Sequence, residues 1–191
     1  MAIIAMSFGQ RVKALSQAAF NVRKVHEMWP EKHIIMTEAC QESGPRIWDW
    51  KLGERYAEAI IQDLEGWLEA WIDWNLILDE TGGPNHVNNL VSAPVIYDTA
   101  RDRLVFLSSF YYIGHFSRFI VPGAQRIAVA SNRDKLKATG FMNPDGSVVT
   151  VVLNQEDYNI EFFLQVAGRA APTQVPSRSI VTFRFHSNDV N

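Results

Sequence analysis

The residue best placed to do chemistry is Glu38. It follows the run His33-Ile34-Ile35-Met36-Thr37 and precedes Ala39-Cys40. A short apolar run bounded by Pro30 and by Gly44-Pro45 reads as a strand buried on both faces. The exit of such a strand is the carboxyl end of a parallel sheet, where α/β folds keep their catalytic side chains. A carboxylate there can act as a nucleophile or move a proton; it can equally be a solvated strand-end residue. A second carboxylate, Asp73, lies inside the apolar run Leu68 to Leu78. An Asp in such a strand must be hydrogen-bonded or paired, and structural pairing is the commoner reason for one. Asp73 and Asn75 fall on one face of that run, with Ile72, Trp74 and Leu76 on the other. The turn-rich loop Asp79 to Asn89 carries Asn85, Asn88 and Asn89. Side-chain amides both donate and accept, which suits sugar hydroxyls, although they serve turns and caps as well.

These groups need elements to hold them. Phe8, Val12, Leu15, Ala19, Val22 and Val25 recur at steps of three and four, an amphipathic helix that Pro30 ends. A second helix is expected from about Gly53 to Glu65, with Tyr56, Ile60 and Leu64 on its apolar face and Gly66 as its stop. Helix, strand, helix, strand is the texture of a parallel α/β sheet. A short aromatic helix follows over Ser108 to Phe119, and its His115 reads as a structural histidine.

Past Val121-Pro122-Gly123 the texture changes to short β-branched or alternating runs: Arg126 to Ala130, Lys137 to Met142, Ser147 to Leu153, Ile160 to Val166 and Ser179 to Phe185. Asn143-Pro144-Asp145-Gly146 is a hairpin turn between two of them. This half reads as an antiparallel β-sandwich, with the domain boundary at Pro122-Gly123: residues 1–122 as the α/β part and 123–191 as the sandwich.

Composition excludes several classes. Hydrophobic residues are 47% and charged residues 20% of the 191, a globular balance. Net charge is −3 with no basic stripe, against a nucleic-acid footprint. The single cysteine cannot close an intrachain disulfide. No apolar run approaches the roughly 18 residues of a membrane span. The opening Met1-Ala2-Ile3-Ile4-Ala5-Met6 lacks the basic region and cleavage site of a signal peptide. No metal-ligand spacing and no cofactor motif is evident. Six Trp, five Tyr and eleven Phe suit ring-stacking sites and plain cores alike.

Several motifs together carry a resemblance: Thr37-Glu38-Ala39-Cys40, Gly66-Trp67, Trp71-Ile72-Asp73-Trp74-Asn75-Leu76, Gly82-Gly83-Pro84-Asn85, Tyr112 to Ile120, and Met142 to Ser147. From about Trp29 to Phe185 the chain resembles the C-terminal part of the glucosylceramidases (acid β-glucosidases) of glycoside hydrolase family thirty. The resemblance implies strands seven and eight of a (β/α)8 TIM barrel followed by most of a β-sandwich. It implies Glu38 as nucleophile, with Trp74 and Asn89 lining a glucose pocket and Asp73 in support. It implies a glucosyl lipid substrate, no cofactor, a lysosomal or secretory setting, and a lipid-presenting activator protein as a possible partner.

One departure stands out. The family supplies its acid/base from an Asn-Glu-Pro motif, and that triplet is absent from the 191 residues. Retaining hydrolysis needs two carboxylates about 5 Å apart. Glu42, Asp49 and Asp73 are carboxylates in the neighbourhood, none on an opposing strand. The expectation is therefore a fragment, truncated gene model or split half, inactive alone and partnered by the missing N-terminal half of the barrel. The alternatives are a non-catalytic interaction module, a truncated pseudo-enzyme, or a relative acting on another β-linked sugar such as xylan.

Overall fold

The computed structural model describes residues 3–7, 15–42, 44–166 and 168–186, and divides into two compact units, Met1–Tyr111 and Tyr112–Asn191. In chain order the first unit runs β1 (Ile3–Ser7), α1 (Leu15–Met28), β2 (His33–Ala39), β3 (Gln41–Glu42), α2 (Trp50–Glu65), β4 (Ala70–Asp73), β5 (Ile77–Asp79), β6 (Val91–Ser92), β7 (Val95–Asp98) and β8 (Arg103–Phe106). Helix α3 (Ser108–Ser117) leads into the second unit. Phe8 and Val12, at the expected start of the first helix, lie outside the described residues.

Three strands form a parallel sheet in the order β1-β2-β4, with β2 in the centre. Its core is built by Ile34, Met36 and Ala39 of β2, by Val22 of α1, and by Leu52, Tyr56, Ala57, Ile60 and Ile61 of α2, all buried. Helix α2 starts where Asp49 caps it, its Oδ1 accepting from Lys51 N at 3.1 Å, and stops at Gly66, whose N donates to Gln62 O at 2.9 Å. Two smaller sheets follow, β3-β6 and β5-β7-β8. Between them Leu78, Val91, Ala93, Ile96 and Leu107 make a second apolar cluster, with Cys40 and Val105 packed against it.

The expectation of two βα units, barrel strands seven and eight alone, is overturned. The first unit holds β1 to β8 with α1, α2 and the start of α3. The partner expected from the two-unit reading, a missing N-terminal half of the barrel, is withdrawn with it. The physical reasons are local. Ile3–Ser7 is too short to show a period, yet pairing with β2 makes it a strand. The run Leu68 to Leu78 is not one buried strand: it breaks after Asp73, and Ile77–Asp79 joins a different sheet. The face expected to carry Ile72, Trp74 and Leu76 is exposed.

The second unit holds β9 (Gln125–Ile127), β10 (Leu136–Met142), β11 (Ser147–Asn154), β12 (Ile160–Val166), β13 (Arg169–Val175) and β14 (Ser179–His186). A four-stranded antiparallel sheet, β14-β11-β10-β9, faces the hairpin β12-β13 across a core of Leu136, Val152, Ile160 and Val175, a β-sandwich. Strand β13 contains Pro172, which hid it in the sequence. Residues 143–146 make the β10–β11 turn, with Gly146 at φ +80°. His115 sits against Thr182, its Nδ1 2.8 Å from the hydroxyl, and burial holds its pKa below the usual value.

Asn154 holds the sandwich loops. Its buried Nδ2 donates to the carbonyls of Tyr158 and Pro176, each at 2.9 Å, and its Oδ1 accepts from Glu156 N at 3.0 Å. Asn154→Ala strands those backbone groups without partners and is expected to lose about 3 kcal/mol. A denaturant midpoint equal to that of the native protein would refute this.

Candidate active site

Glu38 owes its position to the pairing of β2 on both sides. Against β1 the register runs Met6↔Met36 and then Ser7↔Glu38; against β4 it runs Met36↔Trp71 and then Ala39↔Asp73. Both neighbours thus see one extra residue in β2, at Thr37-Glu38. A bulge re-aims the side chain it carries and is common beside active sites. Glu38 is half-buried, at the carboxyl end of the central strand.

The same sheet edge brings Asp73 and Trp74 beside it, with Trp74 N donating to Ala39 O at 2.8 Å. Asp73 Oδ1 accepts from the buried Tyr56 hydroxyl at 2.7 Å and from Trp74 N at 2.9 Å. Its Oδ2 is buried with no hydrogen-bond partner. Burial pushes the Asp73 carboxyl up to about 6, and the two hydrogen bonds work against that rise. The ring of Tyr56 meets Trp71 edge-on at 5.0 Å. Asp73 therefore ties α2 to the exit of β4 and fixes the backbone of Trp74, whose indole is half-exposed.

Asn89 reaches the same end by a different route. Strand β6 pairs with β3, and Gly44 N donates to Leu90 O at 3.1 Å, so the Asn-rich loop lies along the loop that leaves β2. Gly82, at φ +89°, makes this close approach possible: a Cβ there would stand 2.5 Å from Val91 O and 2.8 Å from Pro45 Cδ. Asn89 is exposed, and its backbone N donates to Asn85 Oδ1 at 3.1 Å.

The other carboxylates nearby have structural partners. Glu42 takes the Arg55 guanidinium at 3.1 and 3.4 Å, which helps hold its pKa below the usual value against burial. Asp49 caps α2 and pairs with Arg46 at 3.5 Å. The Cys40 thiol is pushed up to about 11, by burial first and then by the charges of Glu42, Asp73 and Glu38. Cys40 is therefore a protonated thiol rather than a thiolate nucleophile. Among the described residues, no group of three His, Cys, Asp or Glu side chains is arranged to hold a metal ion. Tyr56 escaped sequence reasoning as a site residue because it occupies an ordinary core position on α2; only its contact with Asp73 distinguishes it.

A parallel α/β unit with a carboxylate on its carboxyl edge, followed by a β-sandwich, defines a glycosidase-type architecture. Residues 8–120 match the TIM-barrel domain of glycosyl hydrolase family 30 and residues 123–183 match its beta sandwich domain. The chain belongs to glycosyl hydrolase family 30. It is 38% identical over 152 residues to the lysosomal acid glucosylceramidase of Mus musculus, covering 76% of this chain and 30% of that protein. SrfJ from Salmonella typhimurium has the same fold at a TM-score of 0.85 and 28% identity, over 96% of this chain and 40% of that one. An endo-beta1,6-glucanase follows at a TM-score of 0.80 and 24% identity, over 96% and 40% of the two chains, a likeness of fold alone. The chain thus spans about 30% of the length of its curated mouse relative.

Two buried carboxyls of the first unit titrate high: Asp73 at about 6, and Asp63 of α2 at about 7, through burial. Each folded pKa lies above the unfolded value, so the fold binds the proton more tightly. Their contribution to stability is full below about pH 4 and is lost as pH rises to about 6 for Asp73 and 7 for Asp63. Asp63→Asn keeps the shape and removes the charge. Its melting temperature is expected to gain on the native protein's between pH 5 and pH 7.5. An unchanged difference across that range would refute this.

Proposed function

We propose that the chain carries the nucleophile side of a retaining β-glucosidase site, whose parent activity is hydrolysis of the β-glucosidic bond of a glucosyl lipid such as glucosylceramide. The observation that carries the reading is Glu38 on a β2 bulge at the carboxyl edge of a parallel sheet, beside Asp73 and Trp74. The 38% identity to a lysosomal acid glucosylceramidase supports the choice of substrate and a lysosomal or secretory setting.

In this reading a Glu38 oxygen attacks the anomeric carbon as the bond to the leaving oxygen breaks, and that oxygen takes a proton from an acid. Water then attacks the same carbon, the bond to Glu38 breaks, and its carboxylate is regenerated. Trp74 offers a ring face to the sugar and Asn89 an amide to a hydroxyl. Asp73 holds Trp74 in place; its engaged oxygen faces Tyr56 rather than a leaving group. The proton for the leaving oxygen has no source in an Asn-Glu-Pro motif of this chain. Glu42 and Asp49 are held by Arg55 and by the α2 N-terminus. The isolated chain is therefore inactive toward substrates that need an acid.

A fluorogenic β-glucoside should give no turnover above the blank. A 2-deoxy-2-fluoroglucosyl reagent with a dinitrophenolate leaving group, which departs without a proton, should label the peptide containing Glu38 and fail on Glu38→Gln. Label on another residue, or none, would remove Glu38 from the role; glucose release abolished by Glu38→Gln would overturn the inactivity.

A further inference from the structure

The bulge that carries Glu38 is bracketed by two register pairs, Met36↔Trp71 before it and Ala39↔Asp73 after it. One side chain of α2 touches both β4 members of those pairs. The ring of Tyr56 meets the Trp71 ring edge-on at 5.0 Å, and its hydroxyl donates to Asp73 Oδ1 at 2.7 Å. Strand β4 has β2 on one side and, among the described residues, no strand on the other. No residue of β4 is fully buried, so the apolar core specifies its register only weakly. Tyr56, itself buried, supplies a hold at the two positions that matter for the bulge.

The contact continues into the backbone beside Glu38. The Trp74 N–H is shared between Asp73 Oδ1 at 2.9 Å and Ala39 O at 2.8 Å. The oxygen that Tyr56 fixes is thus the one that steers the amide holding the residue after Glu38. Tyr56 is a constant donor: burial first, then the charge of Asp73, push its pKa well above the usual value. A buried tyrosine needs some acceptor for its hydroxyl, which is the ordinary reason for such a pair. That reason does not account for this one. The acceptor brings with it a second oxygen, Asp73 Oδ2, that is buried with no hydrogen-bond partner. A Phe beside an apolar residue would fill the same space and leave neither group to satisfy.

We propose that Tyr56 is a positioning residue for the nucleophile, pinning Trp71 and Asp73 so that the bulge between their β2 partners holds Glu38 at its attacking angle. This rests on the glucosidase reading and deepens it. Tyr56 acts through Asp73 and the backbone rather than on the sugar.

The test follows dinitrophenolate release as the 2-deoxy-2-fluoroglucosyl reagent labels Glu38, in the native chain and in Tyr56→Phe, Asp73→Asn and Asp73→Ala. Tyr56→Phe keeps the ring against Trp71 and removes the donor. Its labelling rate constant at saturating reagent should fall about tenfold, as small misplacements of a reacting group do, with the half-saturating concentration little changed. Asp73→Asn retains an acceptor oxygen and should keep most of the rate, whereas Asp73→Ala should lose as much as Tyr56→Phe. Adding Tyr56→Phe to Asp73→Ala should cost nothing more, because the hydroxyl acts through that oxygen. If Tyr56→Phe does not fold, the comparison of Asn with Ala at Asp73 carries the test. A merely structural Tyr56 predicts a lower melting temperature with the rate constant intact. That result overturns the proposal, as do losses that multiply in the double variant, or a loss in Asp73→Asn equal to that in Asp73→Ala. Each of these leaves Glu38 labelled and the glucosidase reading standing. No labelling of the native chain overturns that reading and the proposal with it.

Discussion

The pairing of β2 with a parallel neighbour on each side is the constraint on which the first unit depends. A strand bonded on both edges has no freedom to shift its register, since a slip of one residue would turn Ile34 and Met36 out of the core and bring their neighbours in. The position of Glu38 along the sheet is therefore set by the burial of apolar residues upstream. The bulge at Thr37-Glu38 then changes only the last step, turning one side chain relative to a backbone that the core has already fixed. Burial positions the residue and a local irregularity aims it.

A second constraint acts from the side. Asp73 is a carboxyl sunk beside the sheet edge with one oxygen saturated by Tyr56 and Trp74 N and the other unpartnered. Such a group costs stability when ionised, as its raised pKa records. What it secures is geometry: the helix that packs on the sheet and the residue that leaves β4 are joined through one oxygen. Replacing it by an apolar side chain would ease the burial cost and release Trp74. That is the exchange expected where arrangement matters more than stability.

The legible parts of the fold were those with long or chemically distinct signals. Helix α2 announced itself through its apolar face and its Gly66 stop, and the turn at residues 143–146 through Asn-Pro-Asp-Gly. The β2 run was readable because the seven residues His33–Ala39 lie between a proline and a polar loop. The misreadings were short or compensated. β1 has only five residues and becomes a strand through its partner. The run after Leu68 looked like one strand because hydrophobicity alone does not mark the break after Asp73, where the chain leaves one sheet for another. Its outward Trp74 and Leu76 look like core residues in sequence.

The electrostatics of the sheet edge bear on the proposed chemistry. The Cys40 thiol feels Glu38, Asp73 and Glu42 together, so the carboxyl end of the sheet carries a concentrated negative potential, relieved at Glu42 by Arg55. A reaction that develops negative charge there would be opposed. Glycosidic cleavage develops positive charge on the sugar ring and its anomeric carbon, and carboxylates fixed in place before the reaction stabilise that charge without reorganising. Burial raises the cost of holding Asp73 ionised, whereas the Arg55 guanidinium lowers it at Glu42.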